Sequence, residues 1–146
     1  MATNTILQSL NTSALGAGVT SSNRQVTETF IASGNISAGS TVVLDLTQAD
    51  NSDKALFVSE GVAAGVPVGV VEIDYALGED VTVIIRGYVE DAKVDGNSAA
   101  VLVGDALTPA AAGKLVKAGA ADAVVAFAAE ASSADATSAI FVIKNF

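Results

Sequence analysis

Between Val81 and Ala118 the chain reads VTVIIRGYVEDAKVDGNSAAVLVGDALTPAAAGKLVKA, and Gly, Asp, Asn or Pro interrupts it before any apolar run becomes long. Val, Ile and Thr fit a pleated, half-buried surface, whereas the interrupting residues make turns and end helices. Such text supports many short strands and leaves no room for a helical core. The chain of 146 residues is long enough for one domain with a proper core. Hydrophobic residues make up 51% of it, but aromatics only 5%, with no Trp, so the core must be filled by small and β-branched side chains. The expected fold is all-β: a small single-domain barrel or sandwich over residues 25–146, preceded by an extended N-terminal arm over 1–24, with at most short helical turns.

The arm, rich in Ser, Thr, Asn, Gly and Ala, carries scattered apolar residues. It cannot bury much surface alone. Ile6, Leu7, Leu10 and Leu15 are the candidate residues with which it would order on a neighbouring subunit. Strands are expected at Gln25–Ala32, Thr41–Leu46, Ala55–Ser59, Val68–Asp74 and Val81–Tyr88, then at Ala100–Val103 with Lys114–Lys117, and Ala123–Glu130 with Ser138–Lys144. Ala38-Gly39-Ser40 reads as turn material. Single helical turns are expected at Thr108–Gly113, where Pro109 sits at a helix-start position, and at Val62–Val66. Residues from Val68 to Tyr88 echo those from Val125 to Phe146 at an offset of 144 − 86 = 58, with one gap between the halves. Shared hairpin composition is expected to account for most of that echo, with a real duplication as the alternative.

Chemistry is constrained by what is missing. With no His and no Cys, a Ser-His-Asp triad, a thiol nucleophile and disulfides are excluded. Asp91–Asn97 resembles a calcium loop, but Lys93 stands where an oxygen ligand is needed and Leu102 where the closing acid belongs. Glu72 and Asp74, two apart, would share one face of a strand and read as a solvated pair. No catalytic, cofactor-binding or metal-ligating residue is expected, and no cofactor. Net charge is −9, which disfavours nucleic acid, whose phosphates need Lys and Arg clusters. No apolar run approaches a membrane span, and the N-terminus lacks the pattern of a secretory signal. Arg86 and Lys144, rare cations at strand ends, are candidates to pair with a neighbour's carboxylates.

The most specific local pattern is Val101-Leu102-Val103, then Gly104-Asp105-x-Leu107, then Thr108-Pro109, then Gly113-x-Leu115-Val116. It reads as a strand, a corner and a return strand. Gly104, Asp105, Leu107 and Pro109 are the candidate structural corner, with Asp105 accepting backbone N–H groups as a cap. From about Val66 to the C-terminus, this pattern and the closing VVAFAAEA strand resemble the capsid decoration, or cement, proteins of tailed bacteriophages. The resemblance implies a β-tulip-like domain and a structural protein of the virion. It implies binding to the major capsid protein on the outside of the head, as a homotrimer at three-fold and quasi-three-fold positions, after assembly in the host cytoplasm. Two alternatives are a β-barrel module binding a ligand or carbohydrate, and another minor virion structural protein. A carbohydrate module would draw its aromatic platform from Tyr75, Tyr88 and Phe146.

Overall fold

The structure, a computed structural model, describes residues 25–143. Ile6, Leu7, Leu10, Leu15, Lys144 and Phe146 lie outside the described residues. Nine strands follow one another: β1 (Val26–Ala32), β2 (Thr41–Leu44), β3 (Phe57–Glu60), β4 (Pro67–Val70), β5 (Asp80–Asp95), β6 (Ala106–Pro109), β7 (Leu115–Lys117), β8 (Ala126–Ala128) and β9 (Asp135–Val142). Among the described residues, two short 3-10 turns interrupt them, at Asp53–Ala55 and Ala111–Gly113. The all-β expectation holds.

The strand pairings close on themselves twice. One ring runs β5–β1–β3–β2–β4 and back to β5; the other runs β5–β9–β8–β6–β7 and back to β5. Each ring has a thin seam, a single residue pair: Val70 with Ile84 in the first and Val94 with Leu115 in the second. Closure removes the open sheet edges that would otherwise template aggregation.

Strand β5 serves both rings because its sequence changes face partway. Val81, Val83 and Ile85 point into the first ring, whose core includes Phe30, Ile36, Val42, Val58 and Val68. Ile84, Val89, Ala92 and Val94 belong to the second core, with Leu107, Leu115, Val125 and Ile140. The Val-Ile-Ile run is thus buried on both sides at the ring junction. A register shift between Val89 and Ala92 moves the inward residues from odd to even positions, as a bulge does. Five-strand rings leave a narrow interior, which Val, Ile, Leu and Ala fill for the most part, with Phe30 the aromatic in the first core.

The second ring repeats the first, pair for pair. Val70 opposite Ile84 recurs as Phe127 opposite Phe141 (127 − 70 = 57). Val42 opposite Glu60 recurs as Leu107 opposite Lys117, and Leu44 opposite Val58 as Pro109 opposite Leu115. The parallel pair Ala32–Val58 recurs as Val94–Leu115. Even the isolated bridge Ile36–Tyr75 has its counterpart in Val101–Ser132. Shared hairpin composition is therefore not the explanation of the echo: the whole ring repeats, at an offset of 57 rather than 58 on the closing strand (141 − 84 = 57), with β5 as last strand of one unit and first strand of the next. A loop between β2 and β3, longer than the one between β6 and β7, shifts the spacing and conceals the repeat.

Several sequence expectations are corrected here. Ala100–Val103 is not a strand: Val101 makes one bridge, and Leu102 and Val103 stand in a turn, 61% and 68% exposed. The strand lies after the Gly104-Asp105 bend. Leu107 and Pro109 alternate inward within it, both buried, and so belong to β6 and not to the corner; the chain turns back at residues 110–114. Aliphatic content alone suggested the strand, but period-two burial starts at Leu107. The strand expected at Val68–Asp74 stops at Val70, leaving Glu72 and Asp74 in a bend rather than on one strand face. Val62–Val66 forms a turn without helix, with Ala64 at φ 61°.

Candidate interaction surface

The corner singled out in the sequence is built by local bonding. Gly104 adopts φ 87°, a left-handed conformation that glycine reaches without the Cβ penalty. The Asp105 N–H donates to the Leu102 carbonyl at 3.0 Å, and the Leu102 N–H donates to Asp105 Oδ2 at 2.8 Å. The cap therefore reaches back three residues, not forward. Lys117 Nζ stands 2.8 Å from the same Oδ2, tying the corner to β7. The Lys117 ammonium, together with the Leu102 N–H, holds the Asp105 carboxyl below its ordinary range.

The first ring carries the same corner at Ile36–Thr41. Gly39 has φ 76°; its N–H donates to the Val71 carbonyl at 2.8 Å, as that of Gly104 does to Ala128 at 2.8 Å. Ser40 stands where Asp105 stands, and Glu60 where Lys117 stands. The tie survives with its chemistry exchanged: Ser40 Oγ donates to Glu60 Oε1 at 2.8 Å. Ser37 Oγ also donates to Glu60 Oε1, at 2.5 Å. Lys93 Nζ, from the β5 segment of the second ring, donates to Ser37 Oγ at 2.5 Å and Ser40 Oγ at 2.9 Å, and lies 3.7 Å from Glu60 Oε1. Burial raises the Glu60 carboxyl, but the hydroxyls of Ser37 and Ser40 and the Lys93 charge outweigh it and leave it below its ordinary value. This cluster is a strut between rings. The sequence reading took Ala38-Gly39-Ser40 as a turn and missed the cluster, whose members are distant in the chain. Repeated Gly-Ser and Gly-Asp steps before a strand were the available signal.

The remaining candidates are held by structural bonds. An open depression of about 590 Å³ is lined by Asn35, Ile36, Ser37, Glu60, Asp74, Tyr75, Ala76 and Glu79. Its acids are engaged: Asp74 Oδ1 accepts the Ala38 N–H at 2.7 Å, and Glu79 Oε2 the Ala76 N–H at 2.7 Å. Glu72 accepts from the Gln25 side chain at 3.1 Å. Asp91 and Asp95 belong to strand β5, and among the described residues no group of carboxylates is arranged to hold a metal ion. Tyr75 packs on the first core, and its hydroxyl accepts the Thr82 N–H at 3.1 Å. An aromatic row does face outward on the second ring. Tyr88, Phe141 and Phe127 are register neighbours on β5, β9 and β8, with the Tyr88 and Phe141 rings 5.7 Å apart and tilted by 58°. Exposed Arg86 lies beside them, in a shallow hollow shared with Val26.

No protein-family model and no curated protein sequence matches the chain. Among solved structures it is similar to the N base of the head fibre gp8.5 of bacteriophage phi29. The likeness has a TM-score of 0.56 at 20% identity, and covers 81% of this chain and 93% of that one. What the two share is the fold.

Proposed function

We propose that this chain is a structural protein of a bacteriophage virion, bound to the outer surface of the head. The observation that carries the reading is the likeness to the N base of a head fibre, which covers 93% of that chain. The residues support it. Glu60, Asp74, Glu79 and Asp105 are engaged in struts and caps, and the rings expose aliphatic and aromatic side chains such as Leu102, Val103, Phe127 and Phe141. The finer reading is a decoration protein that binds the major capsid protein at three-fold or quasi-three-fold positions, as a trimer, and stabilises the shell without enzymatic activity. Contacts to several shell subunits at once would add avidity, because each later contact is intramolecular. Residues 1–24 supply the gripping arm in this reading, through Ile6, Leu7, Leu10 and Leu15. Cosedimentation of the purified chain with DNA-free heads of its phage tests it: saturable binding and a raised melting temperature of the shell are expected, and absence of binding overturns it.

A second reading, a carbohydrate-binding module, takes its support from the outward row Tyr88, Phe141 and Phe127. Glycan-array binding lost on Tyr88→Ala would favour it; an array without hits removes it.

A further inference from the structure

The ring repeat places two copies of one corner in different surroundings. Around Gly39 the corner is covered: its carbonyl accepts the Lys93 N–H at 2.8 Å, and a Cβ added to Gly39 would overlap the Asp91 carbonyl oxygen. The next ring of the same chain is what covers it. Around Gly104, a Cβ would meet nothing within 4 Å. Among the described residues no strand crosses there, and the outward positions have changed character. Ser37 and Ala38 of the covered corner correspond to Leu102 and Val103 of the bare one, 61% and 68% exposed. A solvated corner gains nothing from two neighbouring aliphatic side chains; a buried one does.

We propose that the Leu102–Asp105 corner is an intermolecular contact whose occupant is a second copy of this chain, received on the entry strand of that copy's first ring. The repeat itself identifies the receiving surface. The first corner sits on Asp91–Lys93 of β5, and the strand registers make Thr29–Ile31 of β1 the equivalent segment: Phe30 opposite Val81 matches Ala92 opposite Ser138. There the amide corresponding to that of Lys93 is already used, since the Ile31 N–H donates to the Leu56 carbonyl at 2.9 Å. Leu56, which supplies that carbonyl, is itself 48% exposed. A contact by hydrogen bonds and an ammonium strut inside the chain is thus replaced between chains by Leu102 and Val103 against Leu56. The two surfaces differ, so the contact is head-to-tail, and closes into a ring if its rotation allows. This inference does not depend on the head assignment.

The chain has no cysteine, which makes the test clean. Full-length Leu102→Cys and Leu56→Cys chains, prepared separately and mixed under mild oxidation, should give a disulfide between the two variants in preference to links within either. Sedimentation of the cysteine-free chain should show self-association, weakened roughly tenfold or more by Leu102→Asp with Val103→Asp, and similarly by Leu56→Asp. Unchanged circular dichroism is expected, because all three sites are exposed. A monomer at high micromolar concentration, association indifferent to these variants, or equal linking in each single-cysteine sample would overturn the proposal. Particle binding is read separately: a chain that self-associates but ignores heads retains this contact and loses the head assignment, and a chain that binds heads as a monomer does the reverse.

Discussion

Gly39 and Gly104 share a left-handed backbone and differ in what lies against them, which separates two costs that usually come mixed. Alanine at Gly104 should cost about 1–2 kcal/mol, the penalty of an L-residue in that conformation. Alanine at Gly39 adds overlap with the β5 backbone and should cost several kcal/mol or prevent folding; urea midpoints of the two variants measure the difference. The acids give a second prediction. Asp45 is lowered to about 2 by the hydroxyl and N–H of Thr47, and Glu60 and Asp105 also lie below their ordinary values. The folded state therefore holds fewer protons than the unfolded one. Stability from these groups is present at neutral pH and falls as acid protonates them, the part from Asp45 being lost only as pH drops through about 2. Glu60→Gln should flatten that slope in denaturant titrations across the acid range; an unchanged slope would remove Glu60 from the account. At this scale the sequence was half legible. Gly104-Asp105 stood out because Asp beside Gly is a turn signal, while Gly39-Ser40 passed as ordinary because its partners, Glu60 and Lys93, are remote in sequence.

At the scale of elements, Val81–Tyr88 was readable as a strand, but not that β5 continues to Asp95. Glu90 and Asp91 lie beyond the strand expected to end at Tyr88, whereas they occupy a register shift that turns β5 from one core to the other. Alternation cannot reveal a strand whose inward face switches midway. The short strands β7 and β8 were placed correctly but drawn too long, since Ala-rich flanks look the same inside a strand and beyond it. Sharing β5 has a measurable consequence. Leu107, fully buried in the second core, should cost about 2–5 kcal/mol when cut to Ala. Because β5 cannot leave one ring alone, amides of β2 in the first ring should lose protection together with those of β8 in the second. Hydrogen exchange showing β8 released while β2 keeps its protection would mean that the rings unfold independently.

For the whole molecule, composition made the all-β class legible, because Val-rich text with neither Trp nor Cys left few other ways to build a core. The double ring was not legible, since strand pairing depends on long-range register. Deleting residues 1–20 should leave the ring fold intact by circular dichroism and weaken assembly on heads; lost β signal would instead place those residues in the core. Labelling of particles with an antibody against this chain tests the proposed place on the outside of a phage head most directly. On virion-sized particles from the source culture, immunogold should decorate the exterior at many copies each, with a matching band in blots of the same fraction. Particles that carry neither label nor band would contradict the account.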